Sequence, residues 1–496
     1  MRAIASLVIL LGCGQSVRTE ARPSPAEDPP RERVEVAPTP EPEPEPEPDD
    51  PPIVRLALQD ERAIDRAVEQ ALAAGDLPGC VVLVGRSDGV VFRRAYGALQ
   101  VEPSERPMLP DALFDLASLS KLFTAAAAIR LAERGELDLR APVDPVLPEL
   151  AGHGITAEHL LTHRAGLKAV NPLSDYDSDR DASMRRTLEG APDGPVGTYR
   201  YSDLGYIALG ELLARRTGQP LDVVITREVS EPLGLDATFR PAPLARVVPT
   251  ERAAHRGDPP PIIHGEANDP RAWRLGGVAG HAGLFATAND LGVFAEALLE
   301  GSWLRPESRA RFSTPQSLRD ARGRTARRSL GADMTLRAHG WSERSFGHGG
   351  YTGTWLWVDP EHDVYLVVLS ARVHPNGGGR VGPLRSTLGR LVHQARARMR
   401  GPVDSPIRLG IDVLRENDFA RLQGKRVALL TNDGGRARDG ARTWQLFQRR
   451  TDLRKIFTPE HGLAAQQEGA VRNSRIGEIE IVSLFGRTRQ PTPEMF

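Results

Sequence analysis

The sequence predicts a mixed α/β (α+β) architecture: one large domain over residues 56–400 and a small α/β unit over 406–496. Three observations carry this. A 496-residue chain with 40% hydrophobic residues has ample core for one large domain and a smaller one. Leu119–Glu133 (LSKLFTAAAAIRLAE) is rich in Ala and Leu and runs to a stop at Gly135, a helical pattern, whereas TGTWLWVDPEHDVYLVVLS after Tyr351 alternates and favours β-structure. Beyond Arg400-Gly401-Pro402 the text reads as strand, short helix, apolar strand (Val427–Thr431), Gly-containing turn, helix and strand.

The first 55 residues address the compartment. Met1-Arg2 is a minimal positive start, and Ala3–Leu11 is an apolar run too short to span a membrane but suited to a secretory signal. Leu10-Leu11-Gly12-Cys13 resembles a bacterial lipobox, in which Cys13 becomes the lipidated first residue of the mature chain. A plain secreted form explains the apolar run but not the cysteine at the cleavage point. Residues 14–55 contain EPEPEPEPDDPP, where fixed proline φ and repelling glutamates predict an extended, disordered tether. The second of the two cysteines, Cys80, follows a Pro-Gly turn and opens an apolar strand, VVLVG, so it reads as a buried inert thiol and no disulfide is expected.

Chemistry first shows at Ser118-Leu119-Ser120-Lys121. The chain has 60 arginines and only four lysines, Lys121, Lys168, Lys425 and Lys455. An arginine keeps its proton, whereas a desolvated lysine can become a neutral amine. A lysine three residues after a serine, one helical turn away on the same face, is a candidate general base beside a candidate nucleophile. A serine that merely caps the helix satisfies the same pattern.

Further motifs follow: Tyr201-Ser202-Asp203 within RYSDLGYIALGELL and, later, Gly347-His348-Gly349-Gly350-Tyr351. ITAEHLLTHRAGL (155–167) precedes the first of these, and LGGVAGHAGLFATANDLGVFAEALL (275–299) lies between the two. In this order the set resembles the serine β-lactamase and penicillin-binding-protein superfamily, more narrowly the branch of class C β-lactamases, D-aminopeptidases and EstB-type esterases, over roughly Leu56 to Met399. The resemblance implies a β-lactamase/transpeptidase-like fold, an antiparallel sheet flanked by helices with an all-helical subdomain. It also implies Ser118 as nucleophile, Lys121 as the lysine that takes its proton, and Tyr201 as the tyrosine that activates Ser118 and protonates the leaving group. The backbone N–H groups of Ser118 and Tyr351 would form the oxyanion hole, each worth roughly 3 kcal/mol of barrier. Asp203 stands where the family has Asn, adding a charge and removing an amide donor from the substrate-binding edge. His348-Gly349-Gly350 stands where it has Lys-Thr-Gly, also on the substrate-binding side. His348 can still donate to an anionic group, with a charge that varies near neutral pH.

Other polar residues read more plainly. His159 and His163 are four apart on a helix, a spacing that can bind zinc, but no third ligand completes a site, so no metal and no cofactor is expected. His281 reads as a packed or cleft-wall histidine, and His264-Gly265-Glu266 stays ambiguous. The segments 171–195 and 241–263 are polar and irregular, cleft-lining insertions where specificity sits.

The C-terminal unit resembles the N-terminal part of the exo-β-N-acetylmuramidase family, a Rossmann-like α/β fragment. The matching pieces are Gly410–Leu414, Thr431-Asn432, Asp439-Gly440, Phe457–Gly462 and Arg489–Met495. Glu460, followed by His461, matches that family's proposed catalytic carboxylate. The match stops at Phe496 where members continue, so the unit is expected to be inactive as a glycosidase.

These readings point to a lipid-anchored serine hydrolase of the bacterial cell envelope, acting on cell-wall amides or esters such as muropeptides through a Ser118 acyl-enzyme. The alternatives are a β-lactamase or esterase on small substrates, and a penicillin- or muropeptide-binding protein without turnover. A formal net charge of −1 with no basic cluster argues against nucleic acid as a partner. Oligomeric state is not legible.

Overall fold

The computed structural model describes residues 56–176, 179–301, 303–335, 340–399, 410–432, 435, 437, 441–458, 463 and 474–484. The chain divides into two units, one within 53–404 and a second drawn mainly from 405–437 and 442–496.

The first unit is built on the apolar run that begins at Cys80. The strands are β1 (Gly79–Arg86), β2 (Gly89–Gln100), β3 (Arg106–Pro107), β4 (Phe114–Asp115), β5 (Phe285–Ala286), β6 (Gln316–Arg319), β7 (Thr325–Arg328), β8 (Phe346–Gly349), β9 (Trp355–Asp359) and β10 (Val364–Ser370). Six of them form one sheet in the order β3-β2-β1-β10-β9-β8. Its pairings are antiparallel, with Val82 opposite both Arg94 and Val368. β1 and β10 are buried on both faces, which is why they read as continuous apolar runs. Alternate residues then separate into two cores. Val81, Leu83, Val367 and Leu369 pack with Leu291 and Phe294 of helix Ala288–Leu299. Cys80, Val82, Leu366 and Val368 pack with Ile64 and Val68 of helix Leu58–Ala73 and with Leu388 and Val392 of helix Gly382–Ala395.

The alternating stretch after Tyr351 is a hairpin. Asp359 turns the chain by accepting the N–H groups of Glu361 and His362, so β9 and β10 lie side by side. Helix Ser120–Glu133 is buried almost all round, as a central helix must be, and stops at Gly135 with φ +73°. The helices Ala157–Leu161, Arg180–Glu189, Asp203–Thr217 and Leu221–Ile225 contribute buried side chains to the same core. The segment 171–195 is less irregular than the sequence suggests. Asp179 caps a ten-residue helix, Arg180–Glu189, by accepting from Asp181 and Ala182, and Met184 and Leu188 anchor it.

The second unit holds helix Gly410–Glu416, β11 (Arg426–Leu430), helix Thr443–Arg450, β12 (Asp452–Thr458), β13 (Ser474–Ile476) and β14 (Ile479–Ser483). Its sheet runs β11-β12-β14-β13, parallel between β11, β12 and β14 and antiparallel at β13. The mixed order extends the α/β start expected from sequence. Residues 407–409, Glu460 and His461 lie outside the described residues, as does Cys13.

Candidate active site

Ser118 sits in a 3₁₀ turn, Ala117–Leu119, that runs directly into helix Ser120–Glu133. It makes no side-chain capping bond, so the capping alternative does not hold for this serine. The preceding residue, Ala117, has φ +45°, a conformation strained for a residue with a Cβ. Two groups hold that turn. The buried carboxylate of Asp115 accepts the Ala117 N–H at 2.7 Å through Oδ1 and the Asn268 N–H at 2.6 Å through Oδ2. On the other side the hydroxyls of Thr352 and Thr354 donate to the carbonyls of Asp115 (2.7 Å) and Leu116 (2.9 Å). Burial pushes the Asp115 carboxyl up to about 6, against the pull of its two N–H donors.

Lys121, one turn on, is fully buried. Its ammonium donates to Ser118 Oγ at 2.9 Å and to the His281 carbonyl at 3.1 Å, and it pairs with Asp203 Oδ1 at 2.9 Å. The His281 carbonyl comes this close because two glycines let helix Asp203–Thr217 touch the segment before it. A Cβ on Gly280 would lie 2.1 Å from the Tyr206 carbonyl, and one on Gly210 would lie 2.9 Å from the Gly280 nitrogen. Burial alone would pull the Lys121 ammonium down. Tyr201 and Asp203 outweigh it and hold Lys121 above its ordinary value. Asp203 responds in kind: burial would push it up, but Lys121 and then His281 hold it below the usual carboxylate range. This corrects the expectation of an amine freed by desolvation. The charge at Asp203, absent where the family has Asn, adds to Tyr201 in favouring the charged form of the lysine. Asp203 itself faces the lysine rather than standing free as a substrate contact.

Tyr201 completes the cluster, with its ring centroid 5.2 Å from Lys121 Nζ. The ring lies 4.5 Å from the imidazole of His163 and 6.1 Å from that of His348. The buried guanidinium of Arg328 lies 6.0 Å from the same ring. Arg328 Nη1 is 3.8 Å from Asp333, while Nε and Nη2 have no hydrogen-bond partner among the described residues. His348 is buried and bonds the Gly349 carbonyl through Nδ1 at 2.9 Å. Burial, then Arg328 and Lys121, hold it well below the ordinary imidazole value, so it is neutral near pH 7 rather than variably charged.

Gly349 and Gly350 follow His348 at the end of β8. A Cβ on Gly350 would meet Thr354 Oγ1 at 2.2 Å and the Leu116 carbonyl at 2.3 Å, so this glycine allows the loop to press on the nucleophile's turn. Tyr351 is 55% exposed, with Arg372 stacked 5.0 Å from its ring and its hydroxyl donating to Glu251 at 3.4 Å. Ser118, Lys121 and Asp203 are thus brought together, Tyr201 and His348 line the same cluster, and Tyr351 is exposed on the loop that follows Gly350.

The remaining histidines have structural partners. His159 Nδ1 accepts the Thr156 N–H in a capping box, and His163 Nδ1 accepts the Ser202 N–H, so the two do not converge on one point. His281 is buried against Asp269 at 2.9 Å, and His264 bonds the carbonyls of Leu244 and Val247. Sequence reasoning missed Asp115, His163 and Arg328 as members of the site. Asp115 lies three residues before Ser118 and was readable as a turn-former; nothing in the sequence marks Arg328 among so many arginines.

The family profile described as Beta-lactamase matches residues 64–389. The chain belongs to the Beta-lactamase family. Members of that family are serine hydrolases, and this chain is an enzyme of that class. A second profile, Exo-beta-N-acetylmuramidase NamZ, N-terminal, matches residues 427–496. N-acetylmuramyl-L-alanine amidase of Bacillus subtilis (strain 168) is 31% identical over 362 residues, covering 63% of this chain and 81% of that protein. Esterase EstB of Burkholderia gladioli is 34% identical over 293 residues, covering 50% of this chain and 72% of its own length. Among solved structures, EstCE1, a hydrolase with promiscuous acyltransferase activity, superposes with a TM-score of 0.57 at 23% identity over 68% of this chain and all of its own, a likeness of fold.

Proposed function

We propose that this β-lactamase-family enzyme hydrolyses amide or ester bonds of muropeptides through an acyl-enzyme on Ser118. The observation that carries the mechanism is the Lys121 ammonium, placed 2.9 Å from both Ser118 Oγ and Asp203 Oδ1. A charged lysine cannot accept the serine proton, so Tyr201 enters the step as a phenolate, its charge offset by Lys121 and Arg328, takes that proton and becomes a neutral phenol. Ser118 Oγ bonds to the substrate carbonyl carbon, the backbone N–H groups of Ser118 and Tyr351 face the developing oxyanion, and Tyr201 returns the proton to the leaving group. Water then repeats the sequence to free Ser118.

The substrate class draws on two supports. One relative is named for the bond between N-acetylmuramic acid and L-alanine, and the same chain carries a muramidase-like module. Esters of small acids form the second reading, favoured by the likeness to Esterase EstB. Among the described residues no helix is long and apolar enough to cross a membrane. We place the enzyme at the cell envelope, held by acylation of Cys13, with peptidoglycan fragments as partners and no nucleic acid.

The test is intact-mass spectrometry of the form starting near Pro52, after a fluorophosphonate probe, with Ser118→Ala beside it. A single Ser118-dependent adduct, with release of L-alanyl peptide from a muropeptide, supports the reading. Full turnover by Ser118→Ala would sink the mechanism, and an adduct with turnover of esters alone would select the second reading.

A further inference from the structure

Tyr201 is gripped from three directions by one residue outside the expected machinery. The N–H of Arg200, just before Tyr201, donates to the His163 carbonyl at 2.9 Å. The N–H of Ser202, just after it, donates to His163 Nδ1 at 3.1 Å. Between these two bonds the Tyr201 ring lies on the imidazole, centroids 4.5 Å apart and planes inclined by 32°. His163 reaches both neighbours because its own backbone turns to φ +57°, placing carbonyl and side chain toward the same segment. The segment after it continues the pairing: Ser202 Oγ donates to the Lys168 carbonyl at 2.5 Å and the Asp203 N–H to the Ala169 carbonyl at 2.8 Å.

The bond from Ser202 assigns the tautomer. A ring nitrogen that accepts carries no proton, so a neutral His163 holds its proton on Nε2. Nε2 is buried and without a hydrogen-bond partner among the described residues. Burial, with Arg328 and Lys121 close by, keeps the ring neutral. A protonated ring would lose the acceptor and set two donors face to face.

We propose that His163 is a positioning residue that fixes the Tyr201 phenolic oxygen for proton transfer with Ser118, acting through the backbone on either side of the tyrosine and through the ring beneath it. The inference rests on the reading of Tyr201 as the proton carrier. It assigns His163 no contact with substrate, so its removal should slow proton transfer and leave binding nearly unchanged.

The test compares His163→Asn with His163→Gly. Both residues adopt positive φ readily, but only asparagine offers an acceptor for the Ser202 N–H. With a chromogenic ester, His163→Gly is expected to lose about 100-fold in kcat with KM within about threefold, whereas His163→Asn stays within about 10-fold of the parent. Combined with Tyr201→Phe, the glycine change should add little, because its effect passes through the lost hydroxyl. Equal losses in the two His163 variants, or losses that multiply with Tyr201→Phe, overturn the proposal. Full activity of Tyr201→Phe overturns it together with the role of Tyr201, while a fluorophosphonate adduct that still forms on Ser118 leaves the hydrolase standing. Nitrogen NMR of labelled histidine gives a readout that needs no variant: the Nε2–H tautomer at pH 7 is expected, and an Nδ1–H or doubly protonated ring overturns it.

Discussion

Lys121 Nζ and Asp203 Oδ1 lie 2.9 Å apart, with the lysine side chain fully buried and the aspartate one-fifth exposed. The pair favours the charged form of both groups. Asp203→Asn removes one of the two groups that hold Lys121 up and leaves Tyr201 alone against burial, so Lys121 moves down. The alkaline limb of the kcat/KM profile should then move to lower pH by at least about one unit, and stability should fall by about 1–3 kcal/mol, since a buried ammonium loses its partner. An unchanged pH profile in the variant would show that Asp203 does not set the lysine's charge.

Asp115 offers one oxygen to each of two backbone donors, at 2.7 and 2.6 Å. Asparagine supplies one acceptor and turns an NH₂ toward the other N–H. Asp115→Asn should therefore cost about 1–3 kcal/mol and slow fluorophosphonate labelling of Ser118 by about tenfold or more, through a loosened turn at Ala117. Denaturant unfolding and labelling kinetics measure the two effects separately. Native labelling kinetics would contradict the role given to this carboxylate.

At Gly350 the prediction is steric. An alanine Cβ would sit 2.2 Å from Thr354 Oγ1 and 2.3 Å from the Leu116 carbonyl, two atoms already bonded to each other. Gly350→Ala should lower the melting temperature and abolish Ser118 labelling, whereas Thr354→Ser, which keeps the hydroxyl, should label at near-native rate.

Acid should weaken the fold in a defined window. His163 and His348 are held well below 6.5 by burial, so below that pH the unfolded chain takes up protons that the folded chain refuses. Stability therefore falls as pH drops, by about 1.4 kcal/mol per pH unit for each histidine. Asp115 works the other way: its folded value of about 6 exceeds its unfolded value, so between about 6 and 3.8 the folded state binds its proton first and gains stability. Two histidines against one carboxyl leave a net loss between pH 6.5 and 5, which chemical denaturation at stepped pH will show. A flat curve would mean that the histidines protonate in place.

Cys80 is buried in β1, and desolvation pushes its thiol up to about 12. The native soluble form should resist alkylating reagents at pH 8 and react only on unfolding. Rapid native alkylation would contradict the burial.

The fold was legible where periodicity was strong. The Ala/Leu run gave the central helix to within a residue, and the alternating text after Tyr351 gave β-structure, though not its break at Asp359, where a side chain rather than a glycine makes the turn. Ser118 and Lys121 were legible because only three residues separate them, across the turn that opens one helix. Asp203 was read as a substrate contact because its partner, Lys121, is 82 residues away, and pairing over that span is set by packing rather than by pattern. Asp115, His163 and Arg328 escaped for the same reason: each acts on a residue brought to it by the fold. The position of Glu460 and His461 lies outside the described residues.

The loop from Gly350 to Thr354 has two tasks that sequence comparison would treat as separate. It carries the exposed Tyr351, and its threonine hydroxyls hold the carbonyls just before Ser118. Remodelling it to admit a new substrate would disturb the nucleophile in the same stroke. Divergence toward new acyl donors therefore has to pass around this loop rather than through it.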